Sequence, residues 1–98
     1  MIFIFHPKAD EELFESAWYY EKRSVGLGED FLAAVEKALR RIDAFPSASR
    51  ADSRGIRRCA VPGFPFTVLY KHRENRVFVV AVAHHRRQPD YWIQRLIQ

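Results

Sequence analysis

The densest group of chemistry-bearing residues lies near the end of the chain, where His84-His85-Arg86-Arg87 runs into Gln88-Pro89-Asp90-Tyr91-Trp92. Histidine titrates near neutrality and suits either direction of proton transfer. Arginine offers a permanent charge and a planar fork of donors. With Arg57, Arg58 and Lys71 upstream, these are the residue types that metal-free RNA cleavage needs. Such a reaction requires a base near the 2′-OH, positive charge at the phosphate in flight and an acid for the leaving 5′-oxygen. His84 or His85 could move protons, Arg58 and Arg86 could hold charge, and Tyr91 could move a proton or stack on a base.

Spacing limits this reading. Neighbours on a strand face opposite ways, so at most one of His84 and His85, and one of Arg57 and Arg58, points toward any given site. Asp90 also sets a negative charge beside Tyr91. The same residues have plainer uses. His84 can end a strand with a satisfied hydrogen bond. Arg86 and Arg87 can form a solvated or partner-binding rim, and Tyr91 and Trp92 can line a core or a groove. Trp18, Tyr19 and Tyr20 read as helix-packing residues. Cys59, the single cysteine, reads as a small apolar residue and leaves no internal disulfide or cysteine-rich zinc site. No His-x3-His spacing exists and the carboxylates cluster on the helices, so no metal and no cofactor is expected. Gly26-Leu27-Gly28 lacks the rest of any phosphate-binding loop.

The cluster must be carried by what precedes it. Val77 to Ala83 is apolar at every position and β-branched at four of the seven. An unbroken run of this kind predicts a central strand covered on both faces. Upstream, Ile2 to Phe5 predicts a first strand ended by His6-Pro7. Pro7 suits the first turn of a helix, and Asp10, Glu11 and Glu12 suit its positive end. Ala9, Leu13, Ala17 and Tyr20 share one stripe, with Phe14 and Trp18 beside it, and the helix should end near Ser24. A second helix opens at Gly28-Glu29-Asp30, buries Phe31, Val35, Ala38, Ile42 and Phe45, and stops at Pro46. The short Gly-Leu-Gly connection makes the pair an antiparallel hairpin. Residues 47–54 predict a surface loop. Strands follow at Ile56 to Val61 and Phe66 to Lys71, with a turn at His72 to Asn75. Pro89 to Leu96 predicts a short terminal helix. The order β-α-α-β-β-β-α predicts an α+β fold: an N-terminal strand and a helical hairpin packed on a small antiparallel β-sheet.

At 98 residues the chain is expected to be a single domain, 1–98, without repeats or linkers. A hydrophobic fraction of 48% with 29% charged residues excludes disorder. Sixteen Lys and Arg against 12 Asp and Glu give a net charge of +4, which suits nucleic acid or an acidic protein partner. The start lacks a basic n-region, and no apolar run approaches the roughly 20 residues of a membrane span. A soluble, cytoplasmic protein is expected.

The chain resembles the RelE/ParE superfamily, the toxins of type II toxin–antitoxin modules. The resemblance covers nearly its whole length: Tyr19-Tyr20-Glu21, Gly26-Leu27-Gly28-Glu29-Asp30-Phe31-Leu32, Ile42-Asp43-Ala44-Phe45-Pro46, Gly55-Ile56-Arg57-Arg58, Phe64-Pro65-Phe66-Thr67-Val68-Leu69-Tyr70 and Ala81 to Trp92. The order and spacing of these pieces carry it, and the Phe64-Pro65-Phe66 turn and the closing segment resemble a ParE-like, plasmid-stabilisation subgroup. The resemblance implies growth inhibition relieved by a cognate acidic antitoxin. It also implies one of two targets. ParE-like members inhibit DNA gyrase and cut nothing. RelE-like members are metal-independent endoribonucleases that cut mRNA on the ribosome; by that pattern Arg58, His84 or His85, Arg86 and Tyr91 would be the catalytic positions. Since the residues show no full acid–base set, the ParE-like reading is adopted, with the ribonuclease as the alternative. A non-catalytic basic nucleic-acid-binding domain is the third reading. The expected binding surface is an apolar groove between helices and sheet, rimmed by Arg57, Arg58, Arg86 and Arg87 with Trp92 nearby.

Overall fold

A computed structural model describes residues 1–97 of the chain. Strand β1 (Ile2–Phe5) leads into helix α1 (Pro7–Arg23) and helix α2 (Leu27–Ala44). Strands β2 (Arg57–Ala60), β3 (Phe66–Arg73) and β4 (Arg76–His84) follow, and a single 3₁₀ turn, Ile93–Leu96, closes the described chain. The terminal helix expected from Pro89 is thus mostly irregular turn. The sheet order is β1-β4-β3-β2. β2, β3 and β4 form the expected antiparallel meander, but β1 lies parallel to β4, so the four-stranded sheet is mixed. A strand that reaches the sheet through a helical hairpin is free to take either direction, whereas tight turns force antiparallel neighbours.

Both helices pack on one face. Ala9, Ala17, Phe31, Val35, Ala38 and Ile42 meet Val68, Tyr70, Val77, Val79 and Val82 there. A smaller cluster on the opposite face joins Ile56, Leu69, Val80, Ala81 and Trp92. β4 is therefore covered on both faces, as its unbroken apolar run requires. Helix α1 starts with Pro7 at its first turn, capped by the His6 ring, which accepts from the Lys8 N–H. Of the three aromatics expected to pack, Tyr20 alone does so, against Phe31, Phe64 and Phe66. Trp18 and Tyr19 stay more than half exposed, and Phe45 ends α2 as its exposed cap.

The two glycines between the helices do separate jobs. Gly26 has φ 89° and caps α2 in the left-handed region. Gly28 lies so close to α1 that a Cβ there would sit 2.5 Å from the Ala17 carbonyl oxygen. The Glu21 carboxylate accepts from both glycine N–H groups at 3.0 to 3.1 Å. The anion-attracting start of α2 is thus filled by a side chain of the same chain.

Pairing between β3 and β4 shifts once, between Leu69↔Ala81 and Tyr70↔Val79, leaving Val80 without a direct partner. This bulge reverses the alternation. Val77 and Val79 face the helices, Val80 and Ala81 both join the opposite cluster, and Val82 returns to the helix face. The bulge decides where the residues beyond it point.

Candidate target- and partner-binding site

Past the bulge, His84 follows Val82 onto the helix side, where its ring meets Phe66 edge-on at 4.9 Å between centroids. Its Nδ1 accepts from the Arg86 N–H at 3.0 Å, leaving Nε2 for any other contact. His85 turns the other way, with Nε2 3.0 Å from the Thr67 hydroxyl. The two imidazoles take different partners because His84 ends β4 and His85 already belongs to the turn that follows. Arg86 and Arg87 follow on an exposed turn.

The remainder of the segment is held by a carboxylate from the far end of the sequence. The last pair of the parallel register is Phe5↔Val79, and beyond it the side chains of α1 and the C-terminal segment serve β4. Glu12 accepts from the Val82 N–H at 3.0 Å, and the Arg95 guanidinium donates to the Val80 carbonyl at 3.0 Å. Arg95 also grips Glu12 through two nitrogens, each at 2.9 Å. The Tyr91 hydroxyl donates to the same carboxylate at 2.5 Å. Glu12 and Arg95 side chains are each 12% exposed, so this is a shielded, two-pronged ion pair with its remaining bonding capacity filled. Arg87 stacks over the Tyr91 ring at 3.8 Å and reaches within 3.9 Å of Glu12.

Burial, and then the hydrogen bond and charge of Glu12, push the Tyr91 hydroxyl well above its usual range, against the opposing pull of Arg95 and Arg87. A phenol in that state neither takes up a proton nor gives one up near neutrality. It is a donor bound to a carboxylate.

On the opposite sheet face, Asp52 accepts from the Arg54 and Ile56 N–H groups. The Ile56 hydrogen bond holds its carboxyl below the usual range against partial burial, helped by the Arg54 N–H and by the Arg54 and Arg58 charges. Arg54 bridges Asp52 to Asp90 at 3.1 Å and lies over the Trp92 ring at 5.1 Å. The Asp90 carboxylate beside Tyr91 is thereby neutralised from across the loop. Asp90 has φ 64°, a left-handed conformation that Asp tolerates better than most residues.

A shallow cleft of about 270 Å³ brings Arg58, His84, His85, Arg87, Tyr91 and Trp92 to one place. Arg57 and Arg86 do not line it. Arg57 donates to the carbonyls of Ser47 and Ser49, and Arg58 leans 3.5 Å from Asp52. Of the four arginines expected to form one rim, Arg58 and Arg87 come together at the cleft, while Arg57 and Arg86 stand outside it. Trp92 borders the cleft but is only 3% exposed. Lys71 lines a separate depression with Phe78 and Leu96.

A second groove, of about 300 Å³, lies between α1 and the ends of β3 and β4. Tyr19, Tyr20, Phe66 and Val82 form its walls, with His84 and Arg87 at the lip. This is the apolar groove expected between helices and sheet, although Glu12 and Glu15 add negative charge to one wall. Cys59 is half-buried, its thiol 3.8 Å from the Ala38 carbonyl and pushed up by burial, the state of an unreactive packing residue. Among the described residues no three His, Cys, Asp or Glu side chains gather to hold a metal ion, and no helix is long and apolar enough to cross a membrane.

The sequence model of a family described as the ParE toxin of type II toxin-antitoxin system, parDE, matches residues 3–89. The chain belongs to the ParE toxin family. That match runs from β1 through both helices to the turn carrying Arg86 and Arg87. A solved structure described as the chromosomal ParDE TA system from P. aeruginosa aligns with a TM-score of 0.60 at 18% identity. It covers 86% of this chain and 95% of the other, so the two share a fold. No curated protein sequence matches the chain.

Two residues that hold this segment carry no signal in the local sequence. Glu12 sits 79 residues from Tyr91 and reads as one more first-turn acid on α1. Arg95 reads as an ordinary charge on a terminal segment. The chain folds both onto the β4 backbone just after the bulge.

Proposed function

We propose that this ParE-family protein arrests growth by binding DNA gyrase, cuts no RNA itself, and is silenced by a cognate acidic antitoxin. The observation that carries the non-cleaving reading is the engagement of the Tyr91 hydroxyl with Glu12. Of the residues proposed for proton transfer, Tyr91 is held as a bound donor, and the His84 and His85 rings are turned to different partners, Phe66 and the Thr67 hydroxyl. A cleaving site needs an acid and a base converging on one phosphate. What the C-terminal end of β4 offers instead is a rigid, mostly occupied frame with Arg86 and Arg87 projecting from it. That arrangement suits docking on a macromolecular target.

The antitoxin seat is the groove between α1 and the sheet ends. Its aromatic walls suit the apolar face of an amphipathic segment. Arg86, Arg87 and the overall charge of +4 suit that segment's acidic residues. The protein acts in the cytoplasm, where its target and its antitoxin are found.

One observation favours the ribonuclease reading: the cleft that gathers Arg58, His84, His85 and Arg87. Induced expression without antitoxin separates the two, with messenger RNA ends and plasmid supercoiling followed in the same culture. Gyrase-linked relaxation and DNA breaks with intact RNA are expected. Rapid cuts within codons, abolished by His84→Ala or His85→Ala, would replace the gyrase reading with cleavage. A culture that grows unimpaired would overturn both.

A further inference from the structure

The sheet face away from the helices is sealed unevenly. Toward the C-terminal end of β4, Trp92 and its neighbours pack on Ile56, Leu69 and Ala81. Toward the other end, Ile2 and Ile4 stay 53% and 41% exposed. Strand alternation builds this open half. Phe3, Phe5, Tyr70, Val77 and Val79 pack toward the helices, so Ile2, Ile4, Lys71, Arg73, Arg76 and Phe78 turn the other way. Register sets them in two rows across three strands: Ile2, Arg76 and Arg73 in one, Ile4, Phe78 and Lys71 in the next. A depression of about 310 Å³ opens beside the second row, walled by Ile4, Phe78, Val80 and Leu96, with Lys71 at its side. Arg95 borders it too but is held by Glu12.

Three cations share this patch with no acid in either row. Glu74, in the turn between β3 and β4, is the nearest carboxylate along the chain. Among the described residues none of Lys71, Arg73 and Arg76 forms an ion pair. Arg73 and Arg76 are direct cross-strand partners, and like charges so placed weaken a hairpin. The protein alone thus carries a repulsion that carboxylates from outside would relieve. Apolar side chains exposed beside it gain from burial. We propose that this open half of the outer sheet face docks an acidic protein segment, with one apolar side chain in the depression and flanking carboxylates on Lys71, Arg73 and Arg76. A second copy of the chain would bring the same three cations against these. A nucleic-acid strand would gain phosphate contacts without a stacking platform, since Phe78 is only partly exposed and Ile2 and Ile4 are aliphatic. An anionic membrane takes side chains that protrude, whereas the apolar centre here is a hollow. The depression shares no residue with the groove or the cleft described above. So small a patch binds weakly, with a dissociation constant on the order of 10–100 μM.

Amide NMR shifts of the isotope-labelled full-length protein test the proposal. The probe is a capped peptide alternating leucine and aspartate, added from about 1 μM to 1 mM so as to bracket that range. Shifts are expected at Ile4, Lys71, Arg76 and Phe78, and none at Tyr19 or His84. Lys71→Gln with Arg76→Gln should weaken binding at least tenfold. A peptide carrying serine in place of leucine should bind at least tenfold worse than the probe. Arg76→Gln alone should raise the denaturant midpoint, because it removes the like-charge pair. Shifts confined to other residues, or none up to the highest concentration, would overturn the proposal. Equal binding of the serine peptide would overturn the apolar anchor, and a midpoint that fails to rise would overturn the charge conflict behind it. Tighter binding of an oligothymidylate or of phosphatidylglycerol vesicles at the same residues would replace the protein partner.

Discussion

Within the segment from His84 to Trp92, the first four residues and the last two live under opposite conditions. Tyr91 and Trp92 are locked: one hydroxyl bound to a shielded carboxylate, one indole buried beneath Arg54. His84 to Arg87 are half-buried or exposed, held mainly by turn hydrogen bonds and ring contacts. Read as residue types, the two parts look like one catalytic constellation. Read in place, the locked part supports and the open part presents. A proton-transfer group must be both well positioned and able to exchange its proton. Here Tyr91 has the position without the exchange, while His84 is turned onto Phe66 and His85 onto the Thr67 hydroxyl.

The sharpest way to break that contrast is to remove the anchor of the locked part. Glu12→Ala leaves the Arg95 charge with only the Val80 carbonyl and the Val82 N–H with no partner in a largely dry setting. A loss on the order of 3 kcal/mol is expected, read as a drop in the denaturant midpoint. Midpoints within experimental error of each other would show that the ion pair is dispensable.

Tyr91→Phe removes one hydrogen bond to a charged acceptor and keeps the ring under Arg87. It should cost about 1–2 kcal/mol while growth arrest persists. Loss of toxicity at an unchanged folded fraction would instead make Tyr91 part of the chemistry. The same variant isolates a pH effect. The Tyr91 hydroxyl is raised above its ordinary value of 10.0 in the fold, so the folded state holds that proton more tightly than the unfolded chain. Its contribution is complete below pH 10 and falls as pH climbs beyond it. Stability of the parent should therefore drop faster than that of Tyr91→Phe in alkaline titrations. Parallel curves would count against a buried, carboxylate-bound hydroxyl.

The open part should respond in function and barely in stability. Arg86→Ala with Arg87→Ala is expected to shift stability by less than about 1 kcal/mol, the loss coming from the Arg87–Tyr91 stack. Growth arrest or antitoxin affinity should fall clearly. Full arrest with an undisturbed toxin–antitoxin complex would remove these arginines from the binding surface. His84→Ala should have the smallest effect, a slight loosening against Phe66 and no change in messenger RNA.

Much of this layout is legible in the residues, for local reasons. The apolar run in β4, the proline stops and the 3.6-residue stripe of α2 are properties of short windows, and each element forms close to where those windows place it. That His84 and His85 take different partners is expected of neighbours at a strand end, although His85 itself lies in the turn beyond β4. Which of them faces the helices is not legible in that way. That depends on Val80, an extra residue whose presence shows only when β3 is laid beside β4. The direction of β1 escapes for a related reason, since no tight turn ties it to its neighbour. Glu12 and Arg95 are illegible because their partners lie 79 and 15 residues away along the chain. Phe14 and Trp18 mislead differently: their types suggest burial, while their helical phase puts them on the wet side.

The most direct test of a binding, non-cleaving toxin is DNA supercoiling by purified gyrase with increasing amounts of this protein. Inhibition that survives Tyr91→Phe and His84→Ala but weakens with the Arg86 and Arg87 pair removed is the predicted result. Undisturbed supercoiling, from a preparation that cuts ribosome-bound messenger RNA and loses that cutting with Tyr91→Phe, would contradict it.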